Sequence, residues 1–223
     1  MRHHFNYSLL LLLCLAVTAC IEDLNFIRPQ PDGVKNTSHF SPKFLGTYFC
    51  WSDSSTLTIF TDHIIQHWHA VEVISRAELD TMSDIKVIDN LIHCDEFPEP
   101  LAVEFFGDSA RVTIDFDEPF FTPDDDQLLR WYKGYYFLNY RGENDLWTIK
   151  ALKLDKAGKL TVHRFDAGDD DMKVIRAITT VEEIRPAHAA EPEKAANPSR
   201  KELKKLMKAD LFKIDTEFQK GEN

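Results

Sequence analysis

The sequence predicts a mainly β fold: an antiparallel meander closed as a barrel or folded as a sandwich, followed by a C-terminal amphipathic helix. Three observations carry that prediction. Between residues 44 and 186 the apolar residues fall in short runs rich in β-branched and aromatic side chains. Polar turn signals such as Ser52-Asp53-Ser54-Ser55, Asp89-Asn90 and Gly107-Asp108-Ser109 separate these runs. No long helical pattern intervenes, and short connections join antiparallel rather than parallel neighbours.

Taken in order, 45–51 and 56–60 read as strands, followed by an extended run over 63–74. Ser75 and Glu78 have the spacing of a capping box, which predicts one helical turn through Leu79 and Met82. Strands at 85–88 and 91–93 flank Asp89-Asn90, and strands at 101–106 and 111–116 flank the next turn. In the last of these Val112, Ile114 and Phe116 share one face while Arg111, Thr113 and Asp115 share the other, the period of a half-buried strand. Further strands are expected at 127–132, 134–140, 146–154, 159–165, 172–178 and 181–184. The apolar phase slips between Ile149 and Leu152, which predicts a bulge or bend near Lys150-Ala151.

Gly46-Thr47-Tyr48-Phe49 is echoed by Gly134-Tyr135-Tyr136-Phe137, and Leu57-Thr58-Ile59 by Trp147-Thr148-Ile149. Two similar β units would explain the echo, as would chance recurrence of aromatic strand starts. Residues 187–198 are rich in Ala, Glu and Pro and read as a linker. Ser199 then caps a run in which Leu203, Leu206 and Met207 have helical spacing, so 199–220 reads as a helical region. That tail is net basic and would dock on the acidic body, or touch anionic head groups or an acidic partner.

Composition excludes one class of partner. The chain holds 26 Lys+Arg against 37 Asp+Glu, a formal net charge of −11. Such a chain repels phosphate backbones, and no basic stripe with interleaved aromatics offsets the repulsion, so nucleic acid is not an expected partner. Sixteen Phe, six Tyr and four Trp supply a sizeable core.

Few residues point to chemistry. His67 and His69 lie two apart, so on a strand they share a face and could chelate one ion suited to imidazole; His63 has the same parity. The acidic runs Asp124–Asp126 and Asp169–Asp171, the latter near Asp166, lack the spacing of a calcium loop and read as solvated turns. No nucleophile elbow, zincin motif or glycine-rich phosphate loop appears, so no catalytic residue and no cofactor is expected. Paired carboxylates in the acidic loops remain the one route to hydrolysis. Tyr135, Tyr136, Phe137, Tyr140 and Trp147 could line a ligand cavity or fill the core. Cys50 and Cys94 could form a disulfide in an oxidising compartment, or each could be a small buried apolar residue.

The N-terminus carries the most specific signal. Residues 1–7 are polar with Arg2, residues 9–17 are an unbroken apolar run, and small residues follow, the layout of a cleavable secretory signal. Val17-Thr18-Ala19-Cys20 resembles the lipobox of bacterial membrane lipoproteins. The resemblance implies removal of residues 1–19, a lipid on the Cys20 thiol and acylation of the new amino group. Two or more acyl chains hold firmly where one binds marginally. Residues 20–43, with Pro29, Pro31, Gly33 and Pro42, then read as a lipidated N-terminus and tether, and 44–186 as the β domain. Glu22 and Asp23 resemble the acidic signal that sends some Gram-negative lipoproteins to the cell surface. The body resembles the small uncharacterised envelope lipoproteins with β-rich ectodomains, a likeness that carries no activity with it. The expectation is a protein held by lipid at the bacterial envelope, most plausibly the outer membrane, acting as a non-catalytic binding or structural module. The alternatives are a carboxylate hydrolase of the envelope or a metal-handling protein using His67 and His69.

Overall fold

The computed structural model describes residues 24–82, 84–94, 99–142, 144–165, 168–185, 192–209 and 211–221. Sixteen strands share one sheet. In chain order they are β1 (Asn25–Phe26), β2 (Asn36–Thr37), β3 (Gly46–Phe49), β4 (Thr56–Ile59), β5 (Ile64–Ser75), β6 (Ile85–Ile88), β7 (Leu91–Cys94) and β8 (Leu101–Phe106). Then follow β9 (Ser109–Phe121), β10 (Gln127–Tyr132), β11 (Tyr135–Arg141), β12 (Trp147–Leu154), β13 (Lys159–Phe165), β14 (Val181–Ile184), β15 (Glu193–Ala196) and β16 (Phe212–Lys220). Among the described residues three α-helices accompany them, α1 (Arg76–Leu79), α2 (Asp169–Ile178) and α3 (Arg200–Leu206), with a 3-10 turn over Pro42–Phe44.

The main path runs β14-β15-β1-β12-β13-β16-β3-β4-β5-β9-β8-β7-β6, with β11, β10 and β2 branching from β12. Every pairing is antiparallel except β1 with β15. The β-rich expectation holds, but the expected closure into a barrel or sandwich does not: the sheet is single and open. Closure requires the two edge strands to meet with a consistent stagger. Here β5 and β9 pair from Ile64↔Phe121 out to Ser75↔Ser109, and their far half carries β8, β7 and β6. The terminal strand β6 therefore pairs only with β7, while the opposite branch ends in the two-residue β2 on β10.

The outward arm has its own small core of Ile92, Leu101, Val103, Ala110 and Val112, capped by Leu79 of α1. Ser75 and Glu78 close both halves of the expected capping box on that helix. Asp89 and Asn90, at φ 52° and 59°, form the expected tight turn between β6 and β7, since both central positions of a type I′ turn need positive φ.

In the body the central strands are buried on both faces. One core gathers Tyr48, Leu57, Ile64, Leu138, Leu152 and Phe218; the other gathers Phe26, Phe137, Ile149, Ala151, Ile175 and Leu203. This two-sided burial explains the phase slip in β12. Its pairing with β11 is unbroken from Tyr135↔Lys153 to Arg141↔Trp147, so the predicted bulge is absent. Ile149 and Ala151 face one core and Leu152 the other, and apolar residues occupy both parities.

Three other expectations are corrected. Residues 172–178, expected as a strand, belong to α2, with Met172 and Ile175 buried one turn apart and Asp170 and Asp171 at the positive end of the helix dipole. The expected C-terminal helical region over 199–220 is helical only in α3, whose capping box joins Ser199 to Glu202. Its remainder is β16, inserted between β13 and β3 in the middle of the sheet. The two similar β units are absent too: Tyr48 faces Leu57 in β3–β4, whereas Tyr136 faces Leu152 in β11–β12, so the echoed segments stand in different registers.

The described part of the expected tether is built into the body. Leu24 and Phe26 are fully buried, and β1 pairs with β12 and β15. Its prolines leave backbone groups that no ladder can satisfy. Side chains take their place: Asn139 Oδ1 accepts from the Gln30 N–H at 2.6 Å and its Nδ2 donates to the Gln30 carbonyl at 2.9 Å. Arg130 donates to the carbonyls of Pro29 and Pro31 and to Asn36 Oδ1. The expected linker likewise contains β15, with Ala195 and Ala196 buried.

Candidate metal centre

The β5–β9 ribbon places side chains by parity. Gln66 stands opposite Glu118, His67 opposite Asp117, Trp68 opposite Phe116 and His69 opposite Asp115. Odd-numbered residues of both strands therefore project to one face, giving a two-by-two patch of imidazoles and carboxylates. His67, His69 and Asp115 each offer a ligand atom, and the three atoms lie within 4.8 Å of one another.

The contacts within the patch are specific. His67 Nδ1 lies 2.8 Å from Asp117 Oδ1, and its Nε2 lies 3.7 Å from Asp115 Oδ1. His69 Nδ1 lies 3.3 Å from Asp115 Oδ2. Asp117 thus fixes one nitrogen of His67 as the protonated donor and leaves Nε2 toward Asp115, the arrangement by which a carboxylate orients a ligating histidine. Ligand atoms about 2.0–2.1 Å from a tetrahedral ion stand roughly 3.3 Å apart. The spacing from His69 Nδ1 to Asp115 Oδ2, 3.3 Å, matches that value, and the one from His67 Nε2 to Asp115 Oδ1, 3.7 Å, is slightly longer. Two imidazoles and one carboxylate suit zinc, copper, nickel or iron(II) rather than calcium. The patch is exposed at His69 and Asp115 and half-buried at His67, so further coordination positions face solvent.

His63 stands apart from this group despite its matching parity in sequence. β5 begins only at Ile64, and His63 sits before it in the turn that the Phe60 N–H closes on the His63 carbonyl, so strand parity does not extend to it. His63 instead stacks on Phe60 at 4.4 Å and meets Asp62 at 2.8 Å. That hydrogen bond holds the Asp62 carboxyl below its usual pKa. His93 belongs to β7, whose partners are β6 and β8.

Asp115 and Asp117 are the candidate ligand and the carboxylate beside His67 that sequence reasoning did not attach to the histidines. The face shared by Arg111, Thr113 and Asp115 was readable, but its pairing partner lies 46 residues away across β6–β8. The remaining candidates are dispersed. Cys50 and Cys94 are free thiols. Cys50 is buried in the body core with Sγ 3.0 Å from Ser52 Oγ, while Cys94 packs against the arm core. Of the five aromatic residues considered for a cavity, Phe137 and Trp147 lie in one core, Tyr136 in the other, and Tyr140 lines a cleft. Asp124 caps its own loop by accepting from the backbone N–H groups of Asp126 and Gln127. Cys20, Glu22, Asp23 and Asp166 lie outside the described residues. Among the described residues no helix is long and apolar enough to cross a membrane. Compared with protein families, curated proteins and solved structures, the chain matches none.

Proposed function

We propose that this chain is a metal-handling protein that holds one divalent transition-metal ion on the outer face of the β5–β9 ribbon, and that a lipid on Cys20 keeps it at the bacterial envelope. One observation carries the metal reading: His67, His69 and Asp115 present three ligand atoms within 4.8 Å of one another. The orienting contact from Asp117 to His67 supports it, because a ligating histidine is normally held by a second carboxylate or carbonyl. Exposure of the patch suits an ion that is taken up and released, since three protein ligands leave positions open to water or to a donor from another molecule. The anchor reading rests on the lipobox-like Val17-Thr18-Ala19-Cys20.

Equilibrium dialysis of the full chain against zinc at neutral pH tests the metal reading. One ion per chain is expected, with binding abolished in the His67→Ala/His69→Ala double variant. Asp117→Asn should weaken binding by about tenfold to a hundredfold, the usual effect of removing an orienting partner. Affinity should fall on acidification, because protons compete with the metal for its ligands. Equal zinc binding by the double variant, or no binding by the parent chain, removes the proposal.

A further inference from the structure

The same parity that sends His67 and Asp117 outward sends Gln66, Trp68 and Glu118 to the opposite face of the ribbon. There they line a cleft of about 560 Å³ whose other walls come from β11, β12, β13, β16 and the β3–β4 turn. Its volume falls within the roughly 300–1,000 Å³ of small-molecule sites. Four aromatic side chains, Trp68, Phe120, Tyr140 and Phe218, contribute to its lining.

The polar groups of the cleft narrow the chemistry of an occupant. Glu118 Oε1 accepts from the Trp68 indole N–H at 2.9 Å, and Asp53 Oδ1 accepts from the Ser55 backbone N–H at 2.9 Å. Among the described residues neither carboxylate has a basic side chain in ion-pair range, so each keeps acceptor capacity directed to neutral donors. Asp215, also in the lining, is paired with Arg164 at 3.3 Å. Lys150 has no carboxylate partner among the described residues, and its ammonium lies 5.0 Å from the Phe120 ring. Gln66, Thr148 and Thr216 add uncharged donors and acceptors.

An anion entering this cleft would meet Asp53, Glu118 and Asp215, and an organic cation would meet Lys150. A purely apolar occupant would strip water from all of these groups without replacing its hydrogen bonds, which is costly. A molecule bearing many hydroxyls avoids each penalty: its O–H groups donate to the carboxylates, its oxygens accept from Lys150 and Gln66, and its C–H faces cover the aromatic rings. We propose that the cleft between β5–β9 and β11–β16 binds a neutral saccharide, with Glu118 and Lys150 as hydroxyl-recognising groups and Trp68 and Phe120 as apolar walls. The site is separate from the metal centre, which lies on the other face of the ribbon.

Calorimetric titration of the full chain with glucose, cellobiose, maltose, lactose and chitobiose tests the proposal, with free amino acids as the zwitterionic comparison. At least one saccharide should bind saturably at one site per chain. Its affinity should drop about tenfold in both Glu118→Gln and Lys150→Met while the melting temperature of each variant stays at the parent value. Glu118→Gln keeps an oxygen acceptor for Trp68, so the wall remains in place. No binding by any of the five sugars at roughly 10 mM overturns the proposal. So does binding of an amino acid in their place, or saccharide affinity equal in parent and variants.

Discussion

His163 shows how one buried side chain links folding to pH. It is 8 % exposed on β13, stacked on Phe212 at 4.7 Å, with Nε2 2.9 Å from Thr161 Oγ1 and Nδ1 buried without a hydrogen-bond partner among the described residues. Burial, reinforced by the nearby Lys153 ammonium, lowers its pKa to about 4. Between that value and the unfolded value near 6.5 the unfolded chain binds the extra proton and the folded chain does not. Stability contributed by neutral His163 is therefore present above pH ~6.5 and lost as pH falls through about 4. Chemical denaturation between pH 7 and 4 should show this loss, on the order of 2–3 kcal/mol, and His163→Phe should flatten it. Unchanged pH dependence in the variant would show that other groups govern acid stability. Asn139 illustrates a different residue-scale device. It is fully buried, and its amide replaces the ladder that the prolines of 29–31 forbid.

Among elements, β16 has the largest structural consequence for its length. It pairs with β13 from Lys159↔Gln219 to Phe165↔Phe212 and joins β3 through Gln219↔Phe49 and Lys220↔Tyr48. Without it the path divides between β13 and β3, Phe218 leaves the body core, and two new strand edges are exposed. A chain ending at residue 209 should lose cooperative unfolding and aggregate; a cooperative transition at the parent midpoint would show that the two halves hold together without it. The reading of this segment as helix had a local basis, since α3 has a complete capping box and Leu203 and Leu206 on one face. The apolar residues Phe212, Ile214 and Phe218 extend that pattern in sequence, and nothing local reveals that open positions on β13 and β3 will recruit them. The segment over 172–178 was misread in the opposite sense, because a short apolar run fits either period until it is seen which face a core covers.

At the scale of the whole molecule, two faces of one ribbon carry two different chemistries, an exposed donor patch and a cleft of mixed polar and aromatic lining. Both depend on the β5–β9 register, which also extends the arm that keeps the sheet open. The proposed anchor belongs to this scale, since a lipid on Cys20 would decide where the molecule works. Palmitate labelling of cells expressing the full chain should mark the protein and vanish in Cys20→Ser, with the variant leaving the membrane fraction. Membrane retention of an unlabelled variant would remove the anchor reading. Described structure begins at Leu24, which is already buried and bonded through its N–H to the Phe165 carbonyl at 3.0 Å. A lipid on Cys20 would therefore hold the body only a few residues from the bilayer, with no long spacer.

By itself the sequence determined the local features: the β-rich class, the tight turn at Asp89-Asn90, the capping box at Ser75, the helix cap at Ser199, and the alternation that puts His67 and His69 on one face. Each follows from side-chain preference or period within a few residues. Only the tertiary structure decided that the sheet stays open, that 212–220 is a central strand and that Asp115 and Asp117 face the histidines. It also decided that His63 is excluded. His63 is excluded because the turn before β5 holds it; the other three share one physical reason. Strand pairing is set by hydrogen bonds and burial between segments far apart in the chain, and a single register shift reassigns every side chain beyond it to the other face.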